Sequence, residues 1–222
     1  MQSNVWTYRG VKVHWLGHDS FVLEGSKTVV IIDPFKAKGD FKADLLLISH
    51  EHSDHLSEDD IHRFSKPNTT IVAPRICEAP LHAFKHVKNF IIPGSKVELK
   101  GVGIEAVPAY NLNKFREPGR VFHPKADGRV GYVVTLDGVR FYHSGDSDAT
   151  PEMKSLDVDV AFLPVSGTYV MTAEEASEAA KAMKAKVVVP MHVGSIVGNR
   201  ADAERFKELV GSRPAVEILE KE

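Results

Sequence analysis

The chain has 222 residues, 43% hydrophobic and 26% charged, with a formal net charge of −2 at pH 7. That length can bury a full core, and one domain spanning residues 1–222 is the expectation. The near-neutral balance gives no electrostatic case for a nucleic-acid or membrane partner. Cys77 is the single cysteine, so no internal disulfide can form and a reducing compartment is compatible.

The N-terminus, Met1 to Trp6, lacks the basic start and apolar core of a signal peptide. No apolar run approaches the length needed to span a bilayer. A cytoplasmic, soluble protein is expected.

Strands come in quick succession at first: Val11 to Leu16, Phe21 to Glu24 and Thr28 to Asp33, with a turn at Gly25-Ser26. Leu45 to Ile48 is an apolar run bounded by polar residues and predicts a buried strand. Ser57-Glu58-Asp59-Asp60 predicts a capped helix start with acidic residues in its first turn. Thr70 to Ala73 predicts a strand, and Ile76 to Phe84 a helix.

The middle returns to strands at Lys96 to Leu99, Gly103 to Pro108, Val130 to Leu136 and Arg140 to Tyr142, with Asp137-Gly138 as a hairpin turn. The end alternates between Val158 to Leu163, a helix Ala173 to Met183, Val187 to Pro190, a helix Ala201 to Val210 and Val216 to Leu219. Thr172 to Glu175 is a capping box, and Gly211 a helix terminator. Strands outnumber helices early, and helices enter at the sheet margins. The expected fold class is α/β, an αββα sandwich of two mixed β-sheets flanked by helices. Asn111 to Arg129 carries no clear secondary-structure pattern, and a loop of that length in a compact domain is usually functional or mobile.

The chemistry concentrates directly behind the Leu45 to Ile48 strand, in Ser49-His50-Glu51-His52-Ser53-Asp54-His55. In extended chain alternate side chains share a side, so His50, His52 and Asp54 can converge while His55 leaves at another angle. Imidazoles and carboxylates are ligands that borderline divalent metals accept. Four such groups in six positions exceed what one ion takes from one loop, which implies a dinuclear site. His143-Ser144-Gly145-Asp146-Ser147 and Met191-His192-Val193-Gly194 each follow a predicted strand, and strand ends that meet in one crevice are rigid supports for ligands. The expectation puts His50 and His52 on one metal, Asp54, His55 and His192 on the other, and Asp146 between them. Two cations about 3.5–4 Å apart generate a nucleophile from water at neutral pH. The cofactor expected is one or two divalent ions, with zinc favoured and manganese or iron as alternatives.

These residues resemble the metallo-β-lactamase superfamily, whose fold is the αββα sandwich. The resemblance runs from Trp15-Leu16-Gly17-His18 and Ile32-Asp33-Pro34 to the last strand. Tyr142-His143-Ser144-Gly145-Asp146-Ser147 and Met171-Thr172 are similar to the L-ascorbate-6-phosphate lactonase branch. Phe122-His123-Pro124-Lys125 resembles the small metal-dependent hydrolases related to it. Members of the superfamily carry a further histidine after a strand ending like Ala106-Val107-Pro108-Ala109; here Tyr110-Asn111 stands there. Either that metal keeps open positions or His123 comes in from the long loop, and the reading leans to His123.

Some residues are balanced between roles. His18 and Asp33 orient ligand imidazoles or serve as ordinary turn residues, with the two roles evenly weighted. His143 reads as a strand residue, while His14, His62, His82 and His86 follow no pattern. Trp6 and Trp15 read as packing residues.

Lys114, Arg116, Arg120, Lys125 and Arg129 outnumber Glu117 and Asp127 in the long loop, which reads as a lid presenting cations to an anionic substrate or as a solvated surface loop, with the lid favoured. Asn111 and Lys125 are the candidate substrate contacts. The function expected is hydrolysis of an ester, lactone or phosphodiester in a small anionic molecule by a metal-bound hydroxide, with a phosphorylated lactone as the specific candidate. Asp54 would bind metal and orient the nucleophile; His123 would protonate the leaving group or complete the metal shell. A metal-dependent nuclease, an iron redox enzyme and a binding module with structural metals are the competing readings. No nucleic-acid or membrane partner is expected, and a homo-oligomer is compatible.

Overall fold

Apolar residues at alternate positions build the first sheet in the order of the chain. Its strands are β1 (Trp6–Tyr8), β2 (Val11–Gly17), β3 (Ser20–Glu24), β4 (Val29–Ile32), β5 (Leu45–Leu47), β6 (Thr70–Pro74) and β7 (Val87–Ile91). The pairs from β1 to β4 are antiparallel and those from β4 to β7 parallel. These and the following elements come from a computed structural model that describes residues 5–222. The leader reading at Met1 to Asn4 lies outside the described residues. Between β5 and β6 lies α1 (Glu58–Phe64), whose N-cap Ser57 accepts from the Asp60 backbone amide.

The second sheet repeats the scheme. It opens with β8 (Lys96–Leu99) and β9 (Val102–Pro108), then leaves for a separate hairpin of β10 (Phe115–Glu117) and β11 (Arg120–Val121). It resumes with β12 (Val130–Leu136), β13 (Val139–His143), β14 (Asp157–Pro164), β15 (Lys184–Met191) and β16 (Ala215–Val216). Antiparallel pairing gives way to parallel at β13 and β14. Three helices, α2 (Glu78–Leu81) on the first half and then α3 (Pro151–Lys154) and α4 (Ala173–Ala182) on the second, are joined by α5 (Arg200–Val210).

Side-chain alternation decides the layers. Val30, Ile32, Leu45 and Leu47 pack between the sheets with Tyr132, Phe141, Phe162 and Val189. Their neighbours Ile31 and Leu46 point outward, under Ile61 and Phe64 of α1. On the other side Ala161 and Leu163 meet Ala176, Ala180 and Phe206 of α4 and α5. The αββα sandwich is therefore the fold. Parallel strands covered on both faces need apolar side chains throughout, which is why β5 and β6 are fully buried.

Several local expectations need correction. The helix expected over Ile76 to Phe84 shrinks to a 3-10 turn at Arg75–Cys77 and one turn of α2. Pro80 offers no backbone donor there. Val87–Ile91 is a strand that lacks clean alternation because it lies at the edge, with Val87 exposed. The stretch Asn111 to Arg129 is structured, with the β10–β11 hairpin and a 3-10 turn at Lys125–Asp127. The last strand holds only Ala215–Val216. Trp6 and Trp15 pack against the inter-sheet core, as expected. The Thr172–Glu175 capping box and the Gly211 terminator are both present.

Candidate metal centre

Strand β5 runs into the histidine motif, and the chain then coils instead of staying extended. The backbone amides of His55 and Leu56 both donate to the His52 carbonyl, at 2.9 and 2.7 Å. This coil changes the expected convergence: the His55 side chain turns fully inward, while Asp54 stays 23% exposed. Asp146 follows β13 through Gly145 at φ 57°, where a Cβ would stand 3.0 Å from the Ser49 Cβ. His192 follows β15, and its backbone amide donates to the His18 carbonyl at 3.2 Å.

The Asp146 carboxylate lies between two sets of imidazoles. Its Oδ2 is 3.5 Å from His123 Nε2 and 3.9 Å from His50 Nε2. Its Oδ1 is 3.2 Å from His55 Nε2 and 3.4 Å from His192 Nε2. His52 Nδ1 completes the first set, 3.0 Å from His50 Nε2 and 3.4 Å from His123 Nε2. Asp54 Oδ2 lies 3.9 Å from His55 Nε2 and 3.2 Å from His18 Nε2.

The outer ring nitrogens are pinned, which decides where the lone pairs point. Ser49 Oγ donates its proton to Asp33 Oδ2 at 2.5 Å, so it accepts from His50 Nδ1 at 2.9 Å. Asp33 also accepts from His55 Nδ1 at 2.8 Å and from the Ser49 amide at 2.7 Å. Asn111 Oδ1 accepts from the His123 backbone amide and from His123 Nδ1, both at 2.9 Å, while Asn111 Nδ2 donates to the Tyr169 carbonyl. His192 Nδ1 is 2.8 Å from Ser166 Oγ. His50, His55, His123 and His192 therefore all direct Nε2 toward Asp146. Asp33 takes the orienting role, and His18 holds Asp54. His143 Nε2 donates to the Asp19 carbonyl at 2.8 Å and so pins the β2–β3 turn.

Burial pushes His50 well below the usual imidazole range, and His123 and His192 to about 4, so these rings are neutral near pH 7. Burial opposes the charge on Asp146, but the His55 and His192 rings outweigh it and hold the carboxyl well below its ordinary value. Asp54 is held at about 2: burial again opposes, and the His18 hydrogen bond and His55 prevail.

This donor set fits divalent cations. His18 Nδ1, both Asp19 oxygens, His55 Nε2, Asp146 Oδ1 and His192 Nε2 are buried without a hydrogen-bond partner. Leaving such a group unpaired costs about 1–3 kcal/mol, more for a charge. Ligands about 2.0–2.2 Å from one ion lie roughly 3–4.3 Å from each other, the spacing observed around Asp146. Two groupings of candidate ligand atoms, each within 4.8 Å, emerge: His50, His52, His123 and Asp146, and His18, Asp19, His55 and His192.

A cavity of about 300 Å³ opens beside the first grouping, lined by His52, Asp54, Arg116, Phe122, His123, Asp146 and Tyr169. Two candidate substrate contacts are placed elsewhere. Asn111 is buried and turned to His123. Lys125 is 2.7 Å from Glu152 of α3 and lies over the Tyr110 ring, so that pairing draws it away from the cavity. Arg116 of β10 is the loop cation at the cavity wall. The sequence named Arg116 only as one of five loop cations, behind Lys125, and did not point to Asp19 or Tyr169. For Asp19 the available signal was its place beside His18 in a turn between two strands.

The profile described as the beta-lactamase superfamily domain matches residues 12–192. Together with the two-sheet sandwich, this shows that the chain belongs to the metallo-β-lactamase superfamily. A UPF0173 metal-dependent hydrolase of Pyrococcus horikoshii is 36% identical, over 94% of this chain and 96% of that protein. A crystal structure from Parabacteroides distasonis, described as a metal-dependent hydrolase, aligns with a TM-score of 0.85 and 31% identity, over 100% and 99% of the two chains. Igni18, a metallo hydrolase from Ignicoccus hospitalis, aligns at TM-score 0.77 and 26% identity, over 95% of each chain. No helix among the described residues is long and apolar enough to cross a membrane.

Proposed function

We propose that this chain is a metal-dependent hydrolase that cleaves an ester, lactone or phosphodiester bond in a small anionic molecule, with a phosphorylated lactone as the first substrate to test. The observation that carries this reading is the Asp146 carboxylate, whose two oxygens each face a separate pair of Nε2 atoms within 3.9 Å. His50, His52, His123 and Asp146 Oδ2 would hold one cation, and Asp54, His55, His192 and Asp146 Oδ1 the other. Bound there, divalent ions would supply Lewis acidity at the scissile group and acidify water. Zinc is favoured for the first set, three imidazoles and one carboxylate, with manganese or iron as alternatives.

The chain's own groups then divide the work. Asp54 Oδ2 is engaged by His18, which leaves Oδ1 to take a proton from the attacking water. The water oxygen bonds to the carbonyl carbon or phosphorus, the ester C–O or P–O bond breaks, and Asp54 returns that proton to the leaving oxygen. His123 carries its proton on Nδ1, facing Asn111, so it serves as a ligand and not as the acid. Arg116 at the cavity wall pairs with the substrate's anionic group, while Phe122 and Tyr169, with ring centroids 4.7 Å apart, form an apolar edge.

The test is reconstitution. Metal-free protein should be inactive on phosphorylated lactones and phosphodiesters, and zinc or manganese should restore turnover. Asp146→Ala should bind less metal and stay inactive at all metal concentrations. Full turnover by metal-free protein would overturn the reading.

A further inference from the structure

The least explained group in the molecule is the side chain of Asp19. Residues His18 and Asp19 form a two-residue turn between β2 and β3, closed by the Gly17–Ser20 pair, with His18 at φ 52°. The turn is fixed from three directions. The His18 carbonyl accepts from Trp15 Nε1 and from the His192 amide, and the Asp19 carbonyl accepts from His143 Nε2. So held, the Asp19 carboxylate points inward with 0% exposure, and neither oxygen has a hydrogen-bond donor. Its Oδ2 is 3.7 Å from His55 Nε2, an atom that itself lacks a partner.

No ordinary packing role accounts for this. A buried carboxylate is normally paired with a cation or several donors. Asp19 instead shares this space with the carboxylates of Asp54 and Asp146, and no donor from the chain offsets the like charges. Protonation would not resolve the conflict, because at 3.7 Å a carboxyl proton cannot bond His55 Nε2. What satisfies Asp19, His55, His192 and Asp146 Oδ1 together is one positive centre among them.

We propose that Asp19 is an additional ligand of the second cation, joining Asp54, His55, His192 and Asp146. This rests on the two-cation reading above and deepens it. The two sites are then unlike. Three imidazoles and one carboxylate at His50, His52, His123 and Asp146 suit a four-coordinate ion such as zinc. Three carboxylates and two imidazoles suit an oxygen-preferring ion of higher coordination number such as manganese(II). Asp19, Asp33, Asp54 and Asp146 also carry the formal charge that two divalent ions balance.

The test counts ions and does not use turnover. Metal-free wild type and Asp19→Asn are titrated with manganese(II) by equilibrium dialysis, and thermal unfolding is followed with and without metal. Wild type should bind two ions; D19N should keep the first and bind the second at least about 100-fold more weakly. Without metal, D19N should unfold at the same temperature as wild type or higher, because the charge that lacks a partner is gone. Manganese should then raise the midpoint of wild type more than that of the variant. If D19N binds both ions with wild-type affinity, or is less stable than wild type without metal, the assignment is overturned. Failure of wild type to bind two ions would instead count against the two-cation reading. Asp19→Ser, smaller and able to admit a water, is the second variant, and loss of both ions in both variants would mark Asp19 as structural.

Discussion

Asn111 and His123 are tied twice through one atom: the Asn111 amide oxygen accepts from both the backbone amide and Nδ1 of His123, each at 2.9 Å. The same side chain donates from Nδ2 to the carbonyl of Tyr169, a residue at φ 67° on the cavity wall. Asn111 thus stands where the superfamily resemblance led us to look for a histidine, and it brings one in from the neighbouring loop.

Replacing Asn111 by Leu should leave the His123 ring free to turn. The first cation should bind about 10–100-fold more weakly, the size of effect seen when an orienting partner of a metal-bound histidine is removed. Metal titration checks this, and Asn111→Asp, which keeps the acceptor oxygen, should recover most of the affinity.

Asp33 holds His55, the Ser49 hydroxyl and the Ser49 amide at once while fully buried. Asp33→Ala should cost about 2–3 kcal/mol of stability, the scale of losing a charged hydrogen-bond partner. Urea unfolding measures it, and a change below about 0.5 kcal/mol would contradict the role.

The metal-free protein should lose stability in mild acid. Burial holds His123 and His192 at about 4, whereas the unfolded chain takes up protons on these rings near about 6.5. Between those values the unfolded state binds more protons on these two rings, so their contribution is intact above about pH 6.5 and is lost as pH drops toward about 4. Burial lowers His55, but Asp146 and Asp33 outweigh it and raise its pKa, which gives the opposite slope above about pH 6.5, so the comparison is made below that value. Urea midpoints at pH 6.5 and 5 check this; an equal or higher midpoint at pH 5 would contradict it.

Arg116 and Lys125 separate the cavity cation from the surface one. Arg116→Ala should raise KM for an anionic substrate about tenfold, the loss of roughly 1.4 kcal/mol of binding, with kcat little changed. Lys125→Ala should leave KM within about twofold, since its partners are Glu152 and Tyr110. Kinetics of both variants on one substrate decide it.

Much of the site was legible because strand ends announce themselves locally. His50, Asp146 and His192 each follow a strong apolar run, and their gathering needed only the expectation that such ends meet. The role of His123 was half legible: the Phe122-His123-Pro124-Lys125 segment stood out, but its distance from Asn111 depends on how a nineteen-residue excursion folds back. Lys125 shows the opposite outcome, since charge alone pointed to the substrate and a partner on α3 took the side chain away.

The sequence by itself determined the sandwich, through runs and alternation that leave each strand one way to bury its apolar face, and it determined the ligand chemistry through residue type. Only the tertiary structure decided which side-chain atoms face one another around Asp146. The coil after His52 turned His55 inward, the pinned turn at Gly17 to Ser20 delivered Asp19, and Asp33 and Asn111 set the ring nitrogens. Those are contacts between segments far apart in the chain, and no local pattern encodes the geometry that a second sheet imposes on the first.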